Sequence, residues 1–133
     1  MKYFLDTNIC IYALKSTFPK IQERMEDLSP SDIAIPSMVK AELYYGALKS
    51  QTKNKVLSAL DKFLSPFEII PFGDMEIMAY AKIRANLEKV GKIIGPNDII
   101  IAATALSHGA TLVTHNIREF ERVQDLLLED WAE

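Results

Sequence analysis

The sequence opens with Tyr3-Phe4-Leu5-Asp6-Thr7-Asn8, a short apolar run that stops at a carboxylate followed by two more polar residues. The apolar part predicts a buried strand, and a helix is predicted next, at about residues 9–14. In an open α/β sheet, ligand sites lie at the carboxyl ends of the strands. Asp6 is therefore a candidate site residue. The alternative is that it caps the next helix, a role that Thr7 or Asn8 would fill equally well.

Strands and helices alternate along the rest of the chain. Further strands are predicted at 32–35, 67–70, 110–113 and 126–128, and further helices at about 19–28, 37–50, 53–64, 74–90 and 97–108. Ser37, Asp74 and Asn97 are the predicted helix caps, and Gly109 the stop of the last long helix. This alternation predicts right-handed βαβ crossovers, hence an α/β fold with a central, mostly parallel sheet of four to five strands flanked by helices.

Length, composition and charge indicate a single globular domain and argue against several other classes of protein. The chain has 133 residues, 49% hydrophobic content and a net charge of −3, which fits one domain over 1–133 with a real core. We expect no membrane span and no cleavable signal segment. Cys10 is the single cysteine, which predicts no intrachain disulfide and a cytoplasmic location. The mild acidity argues against electrostatic coating of DNA, but allows a nucleic-acid enzyme that uses metal ions or local basic patches.

Two further carboxylates lie in apolar surroundings. Glu42 borders the apolar face of the helix that starts near Ser37, and a carboxylate there either finds a partner or extends its tip to water. Asp98 lies in the first turn of a helix that is apolar nearly all round. It either complements the helix dipole or contributes to a metal site at that buried helix start.

A fourth polar segment follows the strand at 110–113. Thr114, Asn116 and Glu119 are placed to face the same edge as Asp6, although an ordinary loop capped by Asn116 explains each residue taken alone. Acidic residues gathered at one edge repel each other unless a cation joins them. Oxygen ligands suit Mg²⁺ or Mn²⁺, which activate water in phosphodiester hydrolysis. No cysteine or histidine cluster predicts zinc, and no glycine-rich loop predicts nucleotide-dependent phosphoryl transfer.

Four segments together resemble the PIN-domain ribonucleases, and most of all the VapC toxins of bacterial VapBC toxin–antitoxin systems. They are Leu5-Asp6-Thr7-Asn8-Ile9-Cys10, Ala41-Glu42-Leu43-x-x-Gly46, Ile94-Gly95-x-Asn97-Asp98-x-x-Ile101-Ala102-Ala103 and Leu112-Val113-Thr114-x-Asn116-x-x-Glu119-Phe120. Each motif is weak alone, but four in order across essentially the whole chain are specific. The resemblance implies a single three-layer PIN fold and Mg²⁺- or Mn²⁺-dependent endonuclease action on RNA.

The resemblance also implies roles for these positions. Asp6 and Asp98 would be the principal metal ligands, and Glu42 the third acidic residue, holding the metal or its water. Thr7, Asn8 and Thr114 would support these ligands or contact phosphate. Many PIN domains have a fourth acid where this chain has Asn116, a departure shared by a branch of VapC toxins, and Glu119 one turn later would supply the missing charge.

The implied substrate is a structured RNA, with initiator tRNA as the family precedent, cut to leave a 5′-phosphate and a 3′-hydroxyl. The implied partners are a VapB antitoxin whose tail masks the site, a second copy of the chain, and a higher toxin–antitoxin assembly. Ile11, Tyr12, Tyr44, Tyr45 and Leu48 are candidate contacts, with core packing as the alternative. The basic residues available to guide RNA are Lys40, Lys49, Lys53, Lys55, Arg84, Lys89, Lys92, Arg118 and Arg122, of which Arg84 and Arg118 are the first to test.

Two other classes of protein were compared with this pattern. A receiver-type phosphoacceptor domain needs a carboxylate after its third strand, but here Ile69-Ile70-Pro71-Phe72 is followed by no acid until Asp74. A PIN-fold interaction module without activity is disfavoured by the intact Asp6, Glu42 and Asp98, and only Asn116 leaves room for it.

Overall fold

The computed structural model describes residues 2–133, which form one five-stranded sheet. The strands are β1 (Tyr3–Leu5), β2 (Ile33–Pro36), β3 (Glu68–Ile70), β4 (Thr111–Val113) and β5 (Leu127–Glu129). Their order in the sheet is β3-β2-β1-β4-β5, and all neighbouring pairs are parallel. The predicted α/β fold is therefore confirmed, with all five strands sharing one carboxyl edge.

Seven α-helices flank this sheet in the described part of the chain. They are α1 (Thr7–Lys15), α2 (Pro19–Glu26), α3 (Ser37–Lys49), α4 (Lys53–Leu64), α5 (Asp74–Lys89), α6 (Pro96–Ser107) and α7 (Ile117–Phe120). A short 3₁₀ turn (Pro30–Asp32) leads into β2. None of the helices within residues 2–133 combines the length and apolar character that a bilayer crossing requires.

The three predicted helix caps are wrong by one or two residues. Pro36, Gly73 and Gly95 hold the capping positions instead, so Ser37 and Asp74 are the first helical residues and Asn97 is the second. Pro96 explains the shift in α6, because its fixed φ and missing N–H suit the first helical position. The predicted stop is confirmed at Gly109, whose φ of +61° lies in the left-handed region.

The register of the central strands decides where the site lies. Leu5 of β1 pairs with Val113 of β4, so the next residues, Asp6 and Thr114, leave adjacent strands side by side. The middle of α6 is fully buried, which fixes the position of its first turn near this edge. Burial of the apolar side chains of β1, β4 and α6 forms the core. The same packing places the polar residues at the ends of these elements along one edge of the sheet.

Candidate metal centre at the carboxyl edge of the sheet

Asp6 is the most tightly held of the candidate residues. Its side chain is 5% exposed. Its Oδ1 accepts a hydrogen bond from the Thr7 backbone N–H at 2.8 Å, and its Oδ2 accepts one from the Thr114 hydroxyl at 2.8 Å. Burial raises the pKa of Asp6, and these two hydrogen bonds partly offset that rise. Asp6 therefore caps α1 and also orients a carboxylate towards the edge of the sheet.

Glu42 is joined to the same place through the first turn of α1. The Thr7 hydroxyl donates a hydrogen bond to Glu42 Oε1 at 2.6 Å, and the Glu42 side chain is half-buried. Of the two alternatives for Glu42, the structure shows a partner, and that partner is a threonine hydroxyl on a neighbouring helix. Thr7 connects Asp6 and Glu42 through its backbone and its side chain.

Asp98 and Glu119 form a second pair. Their side chains are hydrogen-bonded to each other, which requires one of the two carboxyl groups to carry a proton. Burial, the hydrogen bond to Glu119 and the charges of Asp6, Glu119 and Glu42 raise the pKa of Asp98 to about 7. The pKa of Asp98 is raised and that of Glu119 is lowered, which favours a proton on Asp98 rather than on Glu119.

Glu119 is held as the ionised partner. Burial opposes its ionisation, but hydrogen bonds from Asn116 Nδ2 at 2.8 Å and from the Gly95 backbone N–H at 3.3 Å lower the pKa of Glu119 below its usual value. The Asn116 backbone N–H also donates to Thr114 Oγ at 3.0 Å. Asn116 thus holds both Glu119 and Thr114 in position. Glu119 places its negative charge next to Asp98.

We call Asp6, Glu42, Asp98 and Glu119 the acidic centre. Because the other three carboxylates each raise the pKa of Asp98, full ionisation of the centre is costly without a cation. The donor set consists of carboxylate and hydroxyl oxygens, which fits a hard divalent ion such as Mg²⁺ or Mn²⁺. Asn8, by contrast, is exposed on the first turn of α1, and no hydrogen bond from its side chain to the acidic centre is found within residues 2–133.

A second group of ligand-type side chains lies near the C terminus. Among residues 2–133, His115, Asp130 and Glu133 have ligand atoms within 4.8 Å of one another, and His115 Nδ1 lies 2.9 Å from Asp130 Oδ2. The ring of His115 also packs against Tyr12 and Phe18. In this group His115 and Glu133 are exposed, Asp130 is half-buried, and a His–Asp contact joins two of the three. The acidic centre is instead joined in pairs, through Thr7 and through the Asp98–Glu119 hydrogen bond.

Sequence reasoning missed one contributor to the site, Gly95. Its backbone N–H reaches Glu119 Oε1 because Gly95 caps α6 and its N–H points out of the helix start. The signal was present in Gly95-Pro96, since a proline at the first helical position predicts the cap one residue earlier.

The two basic residues chosen for testing differ in their surroundings. Arg84 is engaged on α5 by Tyr80 at 2.9 Å and by Glu88 at 3.3 Å. Arg118 is exposed on α7, next to Glu119, and forms no ion pair among residues 2–133. Arg118 is therefore the more available of the two for an anionic ligand.

The fold and the site together define a class of protein, a parallel α/β domain with an acidic, oxygen-rich centre at the carboxyl edge of its sheet. The chain belongs to the PIN-domain family, whose model matches residues 3–126, and within that family it groups with the VapC ribonucleases. It is 47% identical to Ribonuclease VapC2 of Rickettsia felis over 132 residues, covering 98% of both chains. It is 39% identical to the tRNA(fMet)-specific endonuclease VapC of Shigella flexneri, covering 99% of both.

A solved structure agrees with these relatives. The crystal structure of VapBC2 from Rickettsia felis, bound to a DNA fragment from their promoter, contains a chain that superposes with a TM-score of 0.92. Its sequence identity to this chain is 45%, and the match covers 98% of this chain and 99% of that one. The family resemblance predicted from the four sequence motifs is thereby confirmed.

Proposed function

We propose that this chain is a Mg²⁺- or Mn²⁺-dependent endoribonuclease, the toxin of a type II toxin–antitoxin system that cuts a tRNA to stop translation and growth. The observation that carries the proposal is the acidic centre, in which Asp6 is held through both carboxylate oxygens beside the Asp98–Glu119 pair. The names of the relatives, ribonuclease and tRNA(fMet)-specific endonuclease, support the reaction class.

Asp6 and Asp98 would hold the ion, with Glu42 and Glu119 completing its acidic surroundings. A divalent ion bound there would supply an activated water and would stabilise the charge that develops on a phosphate during hydrolysis. Thr114 and Thr7 keep the carboxylates of Asp6 and Glu42 in position through hydrogen bonds of 2.8 and 2.6 Å. These supporting contacts matter because small displacements of ligands weaken metal binding strongly.

The proton on Asp98 has a consequence for ion binding. A metal ligand must be deprotonated, so Asp98 would have to release its proton to solvent before it could hold an ion. Glu119 is positioned to stay ionised by Asn116 and Gly95, and it leaves Asp98 free to bind the ion. In-line attack by water on a backbone phosphodiester would then leave a 5′-phosphate and a 3′-hydroxyl.

The proposed partners are a VapB-like antitoxin, which would mask the acidic centre in the cytoplasm, and a second copy of the chain. Of the candidate contact residues, Tyr45 and Leu48 are 64% and 59% exposed, whereas Ile11, Tyr12 and Tyr44 are partly buried against the core. Tyr45 and Leu48 lie one turn apart on α3 and are the available ones. The VapBC assembly of the Rickettsia felis relative supports an antitoxin partner.

A cleavage assay with the purified, antitoxin-free protein tests this function. We expect cleavage of tRNA in Mg²⁺ or Mn²⁺ and none in EDTA, and a loss of at least about a hundredfold in Asp6→Asn and Asp98→Asn, since both remove a metal ligand. Asp27→Asn is the matched control, because Asp27 is exposed at the end of α2. Cleavage by both site variants at the rate of Asp27→Asn would reject the proposal, because the activity would then lie outside the acidic centre. No cleavage by the wild type would favour an interaction module without activity.

A separate variant tests the role of Glu119. Glu119→Gln keeps the size of the side chain but removes the charge beside Asp98, so we expect weaker Mn²⁺ binding in a calorimetric titration and slower cleavage. Full activity together with unchanged Mn²⁺ affinity would show that Glu119 has no part in holding the ion.

A further inference from the structure

A cavity of about 800 Å³ opens beside the acidic centre, between α7 and the loop that joins α5 to α6. Its lining residues are Gly91, Lys92, Ile93, Arg118, Glu121 and Arg122. Three of these side chains are cations and one is a carboxylate. The lining therefore carries a positive charge of two in a chain whose net charge is −3.

The cations of this cavity have few partners inside the protein. Within residues 2–133, none of Lys92, Arg118 and Arg122 forms an ion pair with a carboxylate at 4.0 Å or less, although Glu121 lies in the same lining. Arg122 donates one hydrogen bond, from Nη1 to the Ile93 carbonyl oxygen at 3.0 Å, and it is one of the residues that line the cavity. Unpaired guanidinium and ammonium groups in a concave site are suited to an anionic ligand.

Two interactions tie this cavity to the acidic centre. The Gly95 backbone N–H holds Glu119 across the gap between the α5–α6 loop and α7, and the charge of Arg122 contributes to the low pKa of Glu119. Arg118 and Glu119 are neighbours on α7, so one short helix carries a charge of the acidic centre and a cation of the cavity. The cavity and the acidic centre therefore meet at α7.

We propose that this cavity binds backbone phosphates of the RNA strand, outside the phosphodiester that is cut, through Lys92, Arg118 and Arg122. This inference rests on the proposed function, since a strand with its scissile phosphate at the acidic centre brings further phosphates to the adjacent cations. The cavity then positions the strand and contributes to KM rather than to the chemical step.

The test compares Lys92→Gln/Arg118→Gln with the wild type on two substrates. Arg122 is left intact because it also holds the Ile93 carbonyl. For a fluorescein-labelled RNA hairpin cut in Mn²⁺, we expect KM to rise roughly tenfold and kcat to stay within about twofold. The slope of log KM against log salt should become shallower by about 0.7 for each phosphate that the protein no longer neutralises. A dinucleotide, too short to reach the cavity, should be cut equally by both proteins.

The matched control is Lys15→Gln/Lys62→Gln, which removes two exposed lysines at the ends of α1 and α4. Equal KM values for the two double variants, when both melt at the wild-type temperature, would overturn the inference.

Anisotropy of the labelled hairpin in EDTA measures RNA binding without cleavage. A wild type that binds the hairpin through these cations but cuts nothing would defeat the proposed function alone. A poly-glutamate peptide that displaces no RNA but binds only the wild type would instead assign the cavity to an acidic protein partner.

Discussion

Asp6 takes the helix-capping role that the sequence offered as one alternative, and its second carboxylate oxygen has a partner on another strand. Its Oδ1 caps α1 through the Thr7 N–H, and its Oδ2 receives the Thr114 hydroxyl. The sequence predicted the carboxylate at a strand end, but it could not predict the pairing with Thr114, which lies 108 residues away. That contact depends on the register between β1 and β4, which is a property of the folded sheet.

Thr114→Val tests how much Asp6 depends on this support. The substitution removes the donor to Asp6 Oδ2 and the acceptor of the Asn116 N–H. We expect a loss of about 1–3 kcal/mol in the free energy of unfolding and roughly 10–100-fold weaker Mn²⁺ binding, measured by urea denaturation and calorimetry. Thr104→Val is the control, because this buried hydroxyl bonds only to the Ile100 carbonyl of its own helix. Equal losses in both variants would contradict the role of Thr114.

The raised pKa of Asp98 predicts an unusual pH dependence. The ordinary pKa of 3.8 rises to about 7 in the folded, metal-free protein, so the folded state binds a proton that the unfolded chain releases. This contribution to stability is complete below about pH 4 and is lost as the pH rises to about 7. We expect the free energy of unfolding in EDTA to fall across this range, and Asp98→Asn to flatten the fall. A slope in Asp98→Asn equal to that of Asp27→Asn would contradict it.

The elements of the fold follow from sequence pattern better than their ends do. The apolar runs predict all five strands and six of the seven helices within a few residues, but they miss α7, because only four residues form it. The predicted start of α5 is misplaced because its cap is a glycine. The cap site is completed by Glu76, whose Oε1 accepts the Gly73 N–H at 2.7 Å, a contact that a search for a capping side chain at the N-cap overlooks.

Glu76 also links α5 to the end of α6. It is 5% exposed, and its Oε2 lies 3.3 Å from His108 Nε2. We expect Glu76→Ala to lower the free energy of unfolding by about 1–3 kcal/mol, because it removes a buried carboxylate that accepts the half-buried Gly73 N–H and contacts the His108 imidazole. Urea denaturation measures the loss, and RNA cleavage should be unchanged.

The control for this prediction lies on the same helix. Glu88 forms an exposed pair with Arg84 at 3.3 Å, so Glu88→Ala should cost no more than about 0.5 kcal/mol. A Glu76→Ala protein as stable as Glu88→Ala would show that the α5–α6 link contributes little.

For the whole molecule, the sequence predicted that the carboxyl ends of the strands meet at one edge, and this brought four distant segments into one hypothesis. It could not predict that the acidic residues are joined in pairs, because side-chain contacts between α1 and α3, or between α6 and α7, depend on packing. The basic cavity could not be predicted from the sequence either. Two of its cations, Lys92 and Arg118, are 26 positions apart in the chain, and the fold brings them together.

Exposed apolar residues on α3 predict self-association. Tyr45 and Leu48 are 64% and 59% exposed and one helical turn apart. We expect the antitoxin-free chain to behave in light scattering as about twice its mass of 15.0 kDa, and Tyr45→Glu/Leu48→Glu to be monomeric, since burying a charge at an interface is costly. Met75→Glu/Met78→Glu, on exposed positions of α5, is the control. If Tyr45→Glu/Leu48→Glu stays dimeric while Met75→Glu/Met78→Glu becomes monomeric, the interface lies on α5 and not on α3.

The chemistry of the cut ends shows whether the acidic centre cuts RNA with the help of a divalent ion. Purified protein is incubated with tRNA in Mg²⁺, and both new ends are mapped by sequencing. We predict a 5′-phosphate and a 3′-hydroxyl at a defined site with the wild type, and no cut with Asp98→Asn. Cuts at the same site by Asp98→Asn, or ends bearing a 2′,3′-cyclic phosphate, would contradict the account.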